Sequence, residues 1–174
     1  QPTLNADGDD SNPGGLDNDE DGLAAATQVF AGLGGITVEV DVRNNSNSSA
    51  TLAGWLDWDG DGILDASERA STVVQPGDLV APLFFAGAPR DASGPAFLRL
   101  RMAFDANEVA DPAGRASSGE VEDHVVIIKP TKFVGTPRPD NITGNDPQDD
   151  DITGLGRADT INALGGDDVI DGGG

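Results

Sequence analysis

Residues 36–42 read Ile-Thr-Val-Glu-Val-Asp-Val, and this alternation of apolar and polar side chains is typical of a half-buried β-strand. Comparable short runs recur along the chain, separated by clusters of turn-forming residues such as Gln75-Pro76-Gly77-Asp78. The further strand candidates are residues 50–56, 71–74, 79–85, 96–104 and 120–129. Six or seven strands at this spacing predict an all-β fold, with an antiparallel β-sandwich over residues 23–130.

Residues 57–68 match the D-x-D-x-D-G-x5-E pattern of a calcium loop. Calcium takes about six to eight oxygen ligands, which short side chains at loop positions 1, 3 and 5, a carbonyl at 7, a water-mediated group at 9 and a bidentate carboxylate at 12 supply. These positions are held by Asp57, Asp59, Asp61, Ile63, Asp65 and Glu68. A solvated acidic loop is the alternative, but acidic composition alone rarely places carboxylates and glycine in this register.

The segment before this loop distinguishes it from an ordinary EF-hand. A sensor EF-hand has an amphipathic helix on each side, whereas residues 50–56 are short, apolar and preceded by Asn- and Ser-rich turn signals. These residues are typical of a strand. We therefore expect the calcium loop to fix a connection between strands, and not to open a pair of helices.

The charge of the chain fits a protein that is loaded with calcium outside the cell. There are 31 acidic residues against 10 basic ones, a formal net charge of -21, and this self-repulsion opposes compaction unless cations neutralise it. The same charge disfavours nucleic acid and anionic membrane surfaces as partners. There is no cysteine, so bound metal would have to cross-link loops in place of disulfides.

No targeting or membrane segment is recognisable. No apolar run approaches the ~18 residues of a membrane span, and the first residues have neither a basic region nor an apolar core typical of a signal peptide. We expect no membrane insertion, and we expect the chain to be an excised fragment or a mature product. The expected location is extracellular, either secreted or at the cell surface.

Residues 1–22 form an acidic leader without a basic residue. Its second cluster, residues 17–22, repeats the first half of a calcium loop, but the twelfth position falls on Gln28 and lacks the bidentate Glu. The cluster is either a second metal site completed by carboxylates from elsewhere or a solvated leader. The candidate ligands are Asp7, Asp9, Asp17, Asp19 and Asp21.

Residues 119–124, Gly-Glu-Val-Glu-Asp-His, resemble the signature of the GEVED domain, and residues 6–10, 19–23 and 54–62 extend the resemblance over residues 1–130. The resemblance implies a β-sandwich module of large secreted and surface-exposed bacterial proteins, without enzymatic activity. It also implies that Glu120, Glu122 and Asp123 approach the calcium loop; an exposed strand start is the alternative.

Catalytic arrangements are missing from the sequence. His124 is the only histidine, and without cysteine partners it cannot build the usual zinc site. No Gly-x-Ser-x-Gly motif is present, and the carboxylates are too numerous to single out a glycosidase pair. We therefore expect that the chain is not an enzyme.

A repeat follows residues 131–139, which contain two prolines and are predicted to be a linker. Four Asp-x-Ile units begin at Asp140, Asp150, Asp159 and Asp168, spaced 10, 9 and 9 residues apart. With the glycines ahead of them, these units over residues 140–174 resemble the RTX nonapeptide. That resemblance implies the start of a parallel β-roll with Ile161 and Ile170 in its core. The ligands and turn residues that it implies for calcium are Asp150, Gly154, Gly156, Asp159, Gly165 and Asp168.

The repeats depart from that pattern in three places. Arg157 and Ala163 stand where glycines are expected, and residues 145–148 include one extra residue. We expect the first two repeats to be irregular. An array this short buries little, so we also expect it to be partly disordered unless another segment or subunit caps it.

Together these features predict a calcium-binding structural or adhesion module of a bacterial secreted or cell-surface protein, made rigid by extracellular calcium. Its expected partners are calcium ions, with self-association or a cell-surface glycan or protein left open. The alternatives are a subunit that self-assembles with calcium into a fibre or surface layer, and an accessory segment of a secreted hydrolase.

Overall fold

The computed structural model describes residues 22–24, 27–115, 117 and 120–174. In this part of the chain the regular structure consists of strands and one short 3-10 helix, Ala106–Val109, so the prediction of an all-β fold is confirmed. None of its helices is long and apolar enough to cross a membrane. The strands are β1 Gln28–Gly32, β2 Gly35–Asp41, β3 Ala50–Leu56, β4 Arg69–Val74, β5 Val80–Ala86, β6 Gly94–Ala103, β7 Glu120–Pro130, β8 Lys132–Val134, β9 Asn141–Thr143, β10 Asp151–Thr153, β11 Thr160–Asn162 and β12 Val169–Asp171.

Strands β1 to β7 form one seven-stranded sheet in the order β4-β3-β6-β7-β1-β2-β5. The pairings are antiparallel except for β1 with β7, which run parallel from the pair Gln28↔Ile127 onward. The sheet is therefore mixed, whereas the sequence predicted a purely antiparallel arrangement. Alternation of apolar residues reports which face of a strand is buried, but it does not report the direction of its neighbour. The edge strands β4 and β5 pack against each other, so the sheet nearly closes like a barrel.

The core lies inside this curved sheet. On β2 the alternation has the predicted effect, because Ile36, Val38 and Val40 are buried while Thr37 and Glu39 are exposed. The inner face of β5 reaches across the core to β3 at Gly54. A Cβ atom at that position would lie 2.7 Å from Leu83 Cδ1 and 3.1 Å from Phe85 Cζ, so any larger residue would have to displace these core side chains.

Strand β3 is also buried on its outer face. Ala53 and Trp55 pack there with Ala103 and Val109, and Leu64 from the following loop packs against the same cluster. The 3-10 helix Ala106–Val109 thus covers the outer face of the sheet beside the loop. This second cluster attaches the loop to the body of the fold through apolar contact.

The chain from Val109 to Gly114 is fixed to this outer face by arginines of the sheet. Arg101 is buried, and its guanidinium donates to the carbonyls of Asp111 at 2.6 Å, Ala113 at 2.9 Å and Gly114 at 2.8 Å. Arg69 donates to the carbonyl of Val109 at 3.1 Å. Planar guanidinium groups with several donors suit this bridging of carbonyls.

Residues 132–174 form short parallel strands in two small sheets. Strand β10 lies between β8 and β12, with Ile152 opposite Phe133 and Ile170, and β11 pairs with β9 through Ile161↔Ile142. Each strand thus pairs with the one 18 or 19 residues away, two repeats along the chain. Strand β8 lies in the segment predicted to be a linker. Its sequence, Lys-Phe-Val, lacks the preceding Asp and glycines that identified the other strands.

Candidate metal sites

The loop of residues 57–68 connects β3 to β4, which are antiparallel neighbours. Trp55 is paired with Arg69, and the Leu56 N–H donates to the Glu68 carbonyl at 3.1 Å, so the sheet holds the two ends of the loop together. Strands flank the loop on both sides. The expectation of a strand before the loop, based on residues 50–56, agrees with β3.

The first and last acids of the loop are buried at its base. Asp57 and Glu68 are each 2% exposed. The Asp57 carboxylate accepts from Gly60 N–H at 2.8 Å and from Gly62 N–H at 3.1 Å. The Glu68 carboxylate accepts from the backbone N–H of Trp58 at 3.1 Å and of Asp65 at 3.3 Å. Both side chains therefore point into the loop and organise its backbone.

Between them, Asp59 and Asp61 each fold one carboxylate oxygen back onto the loop. Asp59 accepts from Asp61 N–H at 3.1 Å, and Asp61 accepts from Ile63 N–H at 2.7 Å. One carboxylate oxygen from each of Asp57, Asp59 and Asp61 lies within 4.8 Å of the others. Two oxygens bound to one ion at about 2.4 Å can be at most about 4.8 Å apart, so this spacing fits three ligands of one cation.

The electrostatics of the loop also fit a cation. The pKa of the Glu68 carboxyl is raised from its usual 4.5 to about 7, chiefly because burial penalises the charged form, and the neighbouring charges of Asp57, Asp59 and Asp65 add to the effect. The pKa of Asp65 is lowered, because the Ser67 hydroxyl and backbone N–H donate to its carboxylate at 2.5 and 2.8 Å. A bound cation would reverse the penalty on Glu68, since it favours the ionised form.

The acids at the start of β7 have other partners. Asp123 forms a two-pronged ion pair with Arg99, with N–O distances of 2.7 and 2.5 Å. Glu122 accepts from Gly22 N–H at 3.1 Å and lies 2.8 Å from His124 Nε2. Glu120 is exposed. Within the described residues, the carboxylate cluster of the loop includes none of the three. Successive residues of a strand point to opposite faces, so Glu122 and Asp123 cannot both face one loop.

The candidate ligands Asp7, Asp9, Asp17, Asp19 and Asp21 lie outside the described residues. Gly22, the last residue of the leader, is described and contacts Glu122.

In the repeats, the Asp of each of the first two units contacts the Asp two units later. Asp150 is buried and its N–H donates to Asp168 Oδ1 at 2.9 Å, while its Oδ2 accepts from Asn145 N–H at 2.6 Å. Asp140 is arranged alike: its N–H donates to Asp159 Oδ1 at 2.9 Å. The sequence did not single out Asp140 as a ligand, although its Asp-x-Ile unit was visible. In the structure Asp140 contacts Asp159 in the same way that Asp150 contacts Asp168.

Glycines make room for these carboxylates. A Cβ atom at Gly154 would lie 2.6 Å from Asp159 Oδ2 and 2.9 Å from the carbonyl of Gly172, so no larger residue fits there. That oxygen, Asp159 Oδ2, is buried and has no hydrogen-bond partner among the described residues. Gly165 lies beside Asp146 across the opposite turn, and Gly156 lies near Pro137. The turns thus place carboxylate and carbonyl oxygens close together.

The comparisons with known proteins give one family match. Residues 51–127 match the family model of the GEVED domain. No curated protein is similar to the chain. Among solved structures, the chain is similar to the crystal structure of the periplasmic chaperone SfaE, with 18% identity, a TM-score of 0.35, and coverage of 63% of this chain and 64% of that one. It is also similar to the crystal structure of the calcium binding domain CBD12 of CALX1.1, with 12% identity, a TM-score of 0.32, and coverage of 70% and 50%.

The chain therefore spans less than two thirds of the length of either structure. The GEVED resemblance of the sequence is confirmed for the matched segment, whereas the RTX resemblance of residues 140–174 stays a prediction. The segment from β3 to β7 that contains the loop of residues 57–68 matches the GEVED domain.

Proposed function

We propose that this chain is a calcium-binding structural module in which one ion fixes the loop of residues 57–68 and further ions stiffen a parallel β-roll formed by residues 132–174. The observation that carries the proposal is the carboxylate cluster of Asp57, Asp59 and Asp61 in the loop that ends at the buried Glu68. Each of these side chains offers only oxygen, which calcium and magnesium prefer over the nitrogen and sulfur donors of zinc sites.

Calcium fits this loop better than magnesium does. Magnesium demands a near-ideal octahedron at about 2.0–2.1 Å and usually keeps several waters, whereas calcium accepts six to eight flexible oxygen ligands. The loop offers side-chain oxygens from four acids, the Ile63 carbonyl, and Asp65 through water. The raised pKa of Glu68 means that the ion-free loop holds a carboxyl group that is poised to ionise when a cation arrives.

Ion binding in this loop would stabilise the neighbouring sheet edge. The loop joins the edge strand β4 to β3, and Leu64 packs with Trp55 on the outer face. If the site has a dissociation constant of ~10⁻⁴ to 10⁻³ M, each tenfold rise of calcium above that value adds about 1.4 kcal/mol to the stability of the folded state. Such a site is nearly empty at cytosolic calcium and filled outside the cell.

The repeats extend the same principle. Strands β8 to β12 are parallel and stacked two repeats apart, and the turns between them bring together Asp140 with Asp159 and Asp150 with Asp168. The unpartnered oxygen of Asp159 supports an ion between stacked turns, because a buried carboxylate oxygen without a donor is otherwise costly. In our proposal, these ions stiffen the roll in a secreted or cell-surface protein, where the module acts as a spacer or adhesion element.

Calorimetric titration with calcium tests the role of the loop. The double variant Asp59→Asn with Asp61→Asn keeps oxygen donors but removes two charges, and we expect one site to weaken at least about tenfold. The matched control, Glu39→Gln with Asp91→Asn, removes two exposed charges elsewhere and should leave every site unchanged. Full retention of all sites in the first variant would contradict the proposal.

A further inference from the structure

The junction between the curved sheet and the repeats consists of a single residue. Strand β7 ends at Pro130 and β8 begins at Lys132, with Thr131 between them. Thr131 is buried, and its hydroxyl donates to the carbonyl of Ala31 on β1 at 2.5 Å. The Asp151 N–H donates to the Thr131 carbonyl at 2.8 Å, so the pairing of β8 with β10 begins at the sheet itself.

Arg90, in the connection between β5 and β6, clamps this junction. Its carbonyl accepts from the N–H groups of Thr131 at 2.9 Å and Lys132 at 3.1 Å. Its guanidinium donates to the hydroxyl of Thr131 at 3.1 Å and to its carbonyl at 3.2 Å. A planar fork with several donors can make these contacts at once, which a lysine ammonium cannot match in geometry.

The same guanidinium reaches the repeat on both sides of Asp150. It donates to the carbonyl of Asp149 at 2.8 Å and lies 3.7 Å from the carboxylate of Asp151. From the other direction, Asn145 donates its side-chain amide to the Pro130 carbonyl at 2.7 Å and its backbone N–H to Asp150 Oδ2 at 2.6 Å. The buried Asp150 thus lies between two residues that Arg90 contacts, and its carboxylate accepts from Asn145, which is itself bonded to Pro130 of β7.

We infer that the sheet domain is the N-terminal cap of the roll, and that Arg90 is a positioning residue that sets the first coil and the carboxylate pair Asp150 and Asp168. A stack of short coils buries too little to order its glycine-rich turns alone, so the first coil needs a preformed template. The template here is the end of β7 together with the Arg90 clamp. The ion-binding part of this inference depends on the proposed function, whereas the capping part does not.

Amide exchange measured by mass spectrometry on the full chain tests the inference, with Arg90→Ala as the main variant. We expect exchange in residues 141–171 to become at least about tenfold faster, both with and without calcium, while β2 and β5 keep their protection. Arg138→Ala is the matched control, because Arg138 is an exposed arginine between β8 and β9. Asn145→Ala removes the bond to the Pro130 carbonyl from the repeat side of the junction and changes no residue of the sheet. It should likewise speed exchange in residues 141–171, and it replaces Arg90→Ala as the test if that variant loses its sheet.

The inference is overturned if Arg90→Ala leaves the protection of residues 141–171 unchanged. If that variant loses its sheet, the same result in Asn145→Ala overturns it. Measuring exchange with and without calcium adds a result that a general loss of stability would not produce. Calcium should still slow exchange in residues 57–68 of Arg90→Ala but should no longer slow it around Asp150 and Asp168. If calcium slows amide exchange around Asp150 and Asp168 in Arg90→Ala as strongly as in the unmodified chain, Arg90 does not position these two acids. A failure of the proposed function is recognised separately, because the unmodified chain would then show no effect of calcium.

Discussion

Replacing Glu68 with glutamine should remove most of the proton release that accompanies calcium binding. With its pKa raised to about 7, the Glu68 carboxyl is about half protonated at pH 7 and about nine-tenths protonated at pH 6 in the ion-free protein. Calcium needs the ionised form, so binding to the unmodified loop should release about 0.5 proton at pH 7 and about 0.9 at pH 6. Above pH 9 the release should fall almost to zero.

Titration calorimetry in buffers of different ionisation enthalpy measures this release directly. In Glu68→Gln we expect the release from this loop to fall close to zero and its calcium affinity to drop at least about tenfold, because the bidentate charged ligand is lost. The control Glu39→Gln changes an exposed acid of β2 and should alter neither quantity. Proton release that is the same in Glu68→Gln as in the unmodified protein would refute the reasoning.

Three further predictions concern stability. In calcium-free buffer, thermal unfolding should show that the stability of the folded state falls as the pH rises from about 4.5 to about 7. The reason is that Glu68 binds its proton more tightly in the folded than in the unfolded chain over this pH range, and bound calcium should weaken this pH dependence. Gly54→Ala should destabilise the sheet by about 1–3 kcal/mol in denaturant unfolding, since its Cβ would lie 2.7 Å from Leu83 Cδ1. Ile152→Ala should increase amide exchange in the repeats far more than Ile170→Ala, since Ile152 is fully buried and Ile170 is 53% exposed.

Local features of the fold were predictable from the sequence. The strand over residues 36–42 shows itself through the two-residue period, because one face is buried, and the order of ligand positions in residues 57–68 is a property of a continuous segment. The Asp-x-Ile units likewise predicted β9 to β12, since each unit carries its own turn and strand signals.

Contacts between distant segments were not predictable in this way. The parallel pairing of β1 with β7 joins residues about a hundred positions apart, and no local pattern encodes the direction of that neighbour. The ion pair of Asp123 with Arg99 depends on the register of β6 against β7. The Arg90 clamp similarly depends on how the connection after β5 meets the end of β7. Each is decided by tertiary packing, which single-residue periodicity does not describe.

The most direct test of the central claim is tryptophan-sensitised luminescence of terbium, an oxygen-seeking ion that substitutes for calcium. Trp58 directly follows Asp57 in the loop, so an ion held by Asp57, Asp59 and Asp61 would lie within the range of energy transfer from its indole ring. The account predicts sensitised emission that calcium displaces, that weakens in Trp58→Phe, and that is lost in the variant with Asp59→Asn and Asp61→Asn. The account is contradicted if the unmodified chain gives no sensitised emission, or if the emission survives the Asp59→Asn and Asp61→Asn changes.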